Sequence, residues 1–210
     1  MRNIAIAVDG YVAAGKGTLA SAIAKKYNFQ YLDTGAIYRS VAYAYIHSDV
    51  KDLRYVIDSM NLVIVDNKVY LNGEDITLDI RKQDVNEMVS KVCVDSDVRS
   101  YATNYARTIA KGKSIVMDGR DIGSVVLPFA DVKFVVTASV EERTRRRYSQ
   151  NNSKGLKISE EQVKNDIITR DSVDGKNIKI YEDTILIDNT NQTFEETLEM
   201  MCAHIERKLG

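Results

Sequence analysis

Apolar and polar positions follow two periods along this chain, and they alternate. Ile4 to Val8 is continuously apolar and ends in Asp9-Gly10, the pattern of a parallel strand covered on both faces. From Lys16 to Tyr27 the apolar positions Leu19, Ala20, Ile23, Ala24 and Tyr27 recur at helical spacing. Phe29 to Leu32 then predicts a short strand and Ala36 to His47 a second helix. Later, Ser114 to Met117, Lys133 to Thr137 and Thr184 to Ile187 are β-rich runs separated by helical stretches. Such alternation predicts an α/β fold on a parallel sheet. One segment breaks it. Leu62 to Val65, Lys68 to Leu71 and Glu74 to Ile76 are joined by Asp66-Asn67 and Asn72-Gly73, pairs suited to tight hairpins, and predict a small antiparallel insertion.

Three helix starts are predicted where a hydroxyl precedes an acid or amide by three positions: Ser139 with Glu142, Ser159 with Gln162 and Thr193 with Glu196, each pair able to cap reciprocally. Asn151 to Gly155 and Asp171 to Asn177 are polar and turn-rich and predict mobile loops.

Composition narrows the class. The 210 residues carry 29 Lys plus Arg against 30 Asp plus Glu, a net charge of −1, with 44% hydrophobic residues. Near-neutrality argues against a nucleic-acid partner. No apolar run reaches the length of a signal peptide or a membrane span, so a cytoplasmic protein without a membrane partner is expected. Two cysteines, Cys93 and Cys202, make no disulfide framework, and a single proline, Pro128, excludes Pro-rich linkers.

The first strand runs into Gly10-Tyr11-Val12-Ala13-Ala14-Gly15-Lys16-Gly17-Thr18 and then a helix. Two glycines separated by four residues, followed by lysine, let the backbone wrap a phosphate with its N–H groups inward, backed by the helix end and the ammonium. The hydroxyl normally next to the lysine is displaced one place, to Thr18. No guanine-reading Asn-Lys-x-Asp motif is present, which leaves kinases favoured over GTPases.

Three strings carry a resemblance: Val8 to Leu19, Leu32-Asp33-Thr34-Gly35-Ala36-Ile37-Tyr38-Arg39, and Met117-Asp118-Gly119-Arg120-Asp121-Ile122-Gly123, with Glu141-Glu142-Arg143 and Arg146-Arg147 downstream. Together they resemble the bacterial cytidylate kinases, of the P-loop nucleoside monophosphate kinase group, nearly end to end. The resemblance implies the P-loop NMP-kinase fold: a five-stranded parallel sheet flanked by helices, with an antiparallel insertion and a mobile lid. It divides the chain into a core (1–58, 97–142, 184–210), a monophosphate-binding insertion (59–96) and a lid (143–178). It implies phosphoryl transfer from ATP, with Mg²⁺, to CMP or dCMP, by a monomer whose partners are small nucleotides. ATP falls to Gly10, Ala13, Ala14, Gly15, Lys16, Gly17, Thr18, Leu19, Arg143 and Arg146, with Thr18 near the metal directly or through water. The acceptor falls to Thr34, Tyr38, Arg39, Ser90, Arg99, Gly119, Arg120, Asp121, Arg170 and Asp174. Of these, Asp121, Arg99 and Ser90 read cytosine, an acid and two donors matching its amino group and acceptors. Lys16, Arg120, Arg147 and Arg170 take the catalytic charge. UMP or another small acceptor remains an alternative, as does a nucleotide-binding regulatory protein without transfer.

The sequence also departs from that family. Val173, Gly175 and Asn177 stand where it carries arginines, the link to Asp183 is shorter, and Tyr11 stands in place of proline. Lost lid charge is expected to slow transfer unless Arg143, Arg145, Arg146 and Arg147 compensate. On a helix, Arg143 and Arg147 lie one turn apart, so two or three of these are expected to face the ATP phosphates together. His47 and His204, without acid partners, receive no role.

Overall fold

The computed structural model describes residues 2–153 and 155–210. The chain forms two compact units, one holding the residues up to Gln30 with Lys113–Gly210, the other Tyr31–Gly112. The main sheet is five-stranded, with β1 (Ala5–Gly10), β2 (Gln30–Asp33), β6 (Ile115–Gly119), β7 (Val132–Thr137) and β8 (Thr184–Asp188) in the order β2-β6-β1-β7-β8. β1 pairs in parallel with β6 and β7, Ala7 opposite Met117 and Val8 opposite Phe134. The apolar run is explained by that central position: Ile6, Ala7 and Val8 are wholly buried.

In the first unit α1 (Lys16–Tyr27) buries Leu19, Ala20, Ile23 and Ala24, the spacing read from the sequence. α6 (Val140–Ser153) and α7 (Glu160–Asp174) follow β7, and α8 (Phe194–Leu209) follows β8. Of the three expected reciprocal caps, Thr193 with Glu196 forms both bonds. Ser159 accepts from the Gln162 amide and Ser139 from that of Glu142. The Glu142 carboxylate is turned instead onto Arg145 and Arg146, because two guanidinium groups outbid one backbone amide. Ionisation there is strongly favoured, and the carboxyl falls to about 2 through Arg145 first and Arg146 next.

The expected loops need correction. Asn151 to Ser153 is the last turn of α6, Asp171 to Asp174 the last turn of α7, and Lys154 lies outside the described residues. Buried Val163 and Ile167 hold α7, and an ion pair from Asp171 to Arg143 fastens its end, which local composition does not reveal.

The second unit holds α2 (Thr34–His47), α3 (Leu53–Ser59), the hairpins β3 (Leu62–Val65), β4 (Lys68–Leu71) and β5 (Glu74–Asp75), then α4 (Gln83–Val92) and α5 (Ser96–Ala110). Asp66, Asn67, Asn72 and Gly73 all take left-handed backbone angles, so both predicted hairpin turns form. Its core is Val41, Ala42, Ile57, Val85, Val92 and Val98. The Tyr105 hydroxyl joins β3 to α5 by donating to the Leu62 carbonyl and accepting from the Ile64 amide. No described helix is long and apolar enough to cross a membrane.

Candidate active site

Four loops of the first unit leave the C-terminal ends of parallel strands, the edge where α/β sheets place ligands. After β1 comes the glycine loop. A side chain at Gly10, whose φ is 154°, would place its first carbon 2.2 Å from the Val136 carbonyl oxygen, so only glycine fits there. Ala13 and Gly15 also take positive φ, 60° and 83°, which turns the intervening backbone inward. The first backbone bond of α1 is from Leu19 to Gly15. No side chain caps that helix start and no acid lies in its first turn. The amides of Lys16, Gly17 and Thr18 therefore head a helix whose first turn carries no acid, which suits an anion. Leu19, by contrast, is buried in the core.

Two side chains far along the chain hold this loop. Asn189, buried just past β8, donates to the Ala14 carbonyl at 3.0 Å, and its own oxygens accept from Arg146. Arg143 is 4% exposed and donates to the carbonyls of Ala138 and Val12 and, in bidentate fashion, to Asp171. Its ring partner is Tyr11, whose centroid lies 5.3 Å from the guanidinium carbon. Arg143 and Arg146, expected to face phosphates, here spend most of their donors on the loop's scaffold. Asn189 had no motif or spacing to announce it.

After β6, Gly119, Arg120 and Asp121 lead into a single π-turn, Ile122–Val126. Buried Asp9 accepts the amides of Ile122 and Gly123 at 2.8 Å each. Its carboxyl is raised to about 6, by burial first and with a push from Asp121, against the lowering effect of those two amides and of Arg120. Arg120 is held by Asp174 at 2.7 Å and by the Gly119 carbonyl. On the helices, Arg147 feels the like charge of Arg170 and is half-buried. Its pKa is lowered by desolvation and then by Arg170, with Asp166 opposing. Two cations so placed are stabilised by an incoming anion.

The second unit places the remaining residues. Thr34 is buried at the start of α2. Arg39 bonds Asp33 at 2.6 Å, and Gly35 makes this possible, since a side chain there would press on both partners. Arg81 reaches the same Asp33 oxygen at 3.6 Å, a cation that sequence reasoning did not select. The buried Arg39 Nε has no partner among the described residues, an orphaned donor in a site that already carries positive charge. Tyr38 packs at the margin of the core, Ser90 on α4 bonds the Glu87 carbonyl, and Arg99 on α5 reaches the Cys93 carbonyl.

Among the described residues no three His, Cys, Asp or Glu side chains gather to hold a metal. The exposed Thr18 hydroxyl at the head of α1 could ligate a divalent ion brought in on phosphate oxygens.

Two solved structures share the fold: a protein from Thermus thermophilus, with a TM-score of 0.55 and 16% identity over all of both chains, and the shikimate kinase of Bacteroides thetaiotaomicron, with 0.51 and 15% over 97% of this chain and 98% of that one. Among curated proteins, the cytidylate kinase of Halalkalibacterium halodurans is 38% identical over 100% of both chains. That of Clostridium botulinum is 39% identical over 99% of this chain and 100% of its own. The family model described as cytidylate kinase matches residues 6–207, taking in the glycine loop, the antiparallel insertion, the Arg120 turn and α7 alike, and the chain accordingly belongs to the cytidylate kinase family.

Proposed function

We propose that this protein transfers the γ-phosphoryl group of ATP to CMP or dCMP, giving ADP with CDP or dCDP. The observation that carries the reading is the uncapped, lysine-headed start of α1 within a chain matched by the cytidylate kinase model over nearly its whole length. An acceptor phosphate oxygen attacks the γ-phosphorus while the bond to the β-bridging oxygen breaks. A monophosphate is largely ionised near neutral pH, so no strong general base is needed, and catalysis rests on positioning and charge.

Each residue then has a task. The amides heading α1 and the Lys16 ammonium bind the β- and γ-phosphates. Arg39, aimed by Asp33, binds the acceptor phosphate through its terminal nitrogens, with Thr34 beside it. Arg120, aimed by Asp174, and the Arg147 and Arg170 pair stabilise charge on the transferring group. Asp121, Arg99 and Ser90 read cytosine. Magnesium, when bound with ATP, neutralises charge on the bridging phosphates. The protein would work as a monomer in the cytoplasm.

Val173, Gly175 and Asn177 favour a second reading, a nucleotide-binding protein without transfer. Incubation with MgATP and, separately, CMP, dCMP, UMP and AMP decides. CDP and dCDP are the expected products. Preferred phosphorylation of UMP would change the acceptor, and ATP binding without any transfer would establish the second reading.

A further inference from the structure

Tyr11 and Gly175, unrelated in sequence, meet in space. Gly175 ends α7 in an ordinary right-handed conformation, φ −59°, so backbone freedom does not call for glycine there. Space does. A first side-chain carbon at Gly175 would lie 2.8 Å from the Asp171 carbonyl oxygen, and 3.7 and 3.8 Å from the hydroxyl and a ring carbon of Tyr11. The tip of the Tyr11 ring thus lies within ordinary van der Waals contact of position 175, and the tight approach is to the Asp171 carbonyl. The face of the same ring carries Arg143 at 5.3 Å. Arg143 in turn donates to the Val12 carbonyl in the glycine loop and grips Asp171 in α7.

We propose that Tyr11 is a positioning residue that docks the last turn of α7 onto the glycine loop, through Arg143 on its face and Gly175 at its tip. Three residues past Asp171 on that turn, Asp174 holds Arg120 at 2.7 Å. Docking therefore sets the helix end that aims Arg120, and ties that aim to the loop that takes the nucleotide phosphates. Buried between ring and carboxylate, the Arg143 charge gains a cation–π contact strengthened by desolvation. The missing side chain at 175 is thus part of the dock. The structural step stands on contacts alone, and the catalytic step rests on the kinase reading above.

The two steps are tested separately. In the unliganded protein, Tyr11→Ala should speed amide hydrogen exchange across the end of α7 by about tenfold or more while β1 and β7 stay protected. Tyr11→Phe should leave exchange as in the wild type, because the ring face is kept. If Tyr11→Ala does not fold, Tyr11→Leu, which keeps bulk without a ring face, serves in its place. Gly175→Arg should also loosen the turn, and Gly175→Arg combined with Tyr11→Ala should be less than additive. Unchanged exchange, or strict additivity, overturns the dock. For catalysis, Tyr11→Ala should lower kcat with CMP by about 10- to 100-fold with little change in the KM for ATP, and Tyr11→Phe should restore it. A fall in stability with kcat unchanged would overturn the positioning role. Should the wild type phosphorylate no monophosphate, the kinase reading fails while the exchange result still decides the dock.

Discussion

The glycine loop and the Asp33–Arg39 corner, the two phosphate sites of the proposed function, are built by opposite means. The loop presents backbone amides at a helix start that no side chain caps. It is braced from behind by buried Asn189 and Arg143. The corner presents the Arg39 guanidinium beside a carboxylate that Arg81 also reaches, in a partly exposed pair, 17% and 24% accessible. A backbone site keeps its shape because many buried bonds enforce it. A guanidinium site rests on a few partly exposed ion pairs and is completed by its ligand.

That contrast can be broken at graded cost. Removing the one side-chain charge the loop adds, Lys16→Ala, should lower kcat by roughly 10²- to 10³-fold or more while the circular-dichroism melting curve stays near the wild type. Full activity would strip the loop of its assigned role. Arg39→Ala should raise the KM for the acceptor by about 10- to 100-fold and leave the KM for ATP within about threefold. Steady-state kinetics with each substrate varied checks this, and equal effects on both substrates would erase the distinction between the two regions.

A further effect, on stability alone, is expected at Asp9, which accepts the amides of the turn after β6. Asp9 has a folded pKa of about 6, above its ordinary 3.8, so the native state holds this proton more tightly than the unfolded chain. Its contribution to stability is therefore present in acid and is lost as pH rises from about 4 through about 6, a change on the order of 2–3 kcal/mol. Asp9→Asn removes that window. Urea melts between pH 4 and 7 should show the wild type losing ground to the variant as pH rises, and parallel curves would contradict the buried-carboxyl account.

Much of this design was legible from spacing. The helical period from Lys16 to Tyr27, the Asp66-Asn67 turn and the glycine loop are each set by neighbours in sequence, and each appears where expected. What escaped depends on distant partners. Asp171 to Asp174 looks like a polar turn until Arg143 and Arg120 bind it. Arg143 was expected among the phosphate-facing cations from its one-turn spacing to Arg147. Spacing fixes a helix face but not what covers it, and Ala138, Val12 and Asp171 cover this one. Arg81 and Asn189 bear no local signature, since their meaning comes from Asp33 and Ala14.

The Asn189 bond to Ala14 spans 175 residues of chain. A ribosome releases the glycine loop long before it makes the asparagine that secures it. A nascent chain carrying β1 and α1 therefore holds the letters of a phosphate grip without its lock. The backing of that loop is complete only once β8 has joined the sheet and Asn189 is in place.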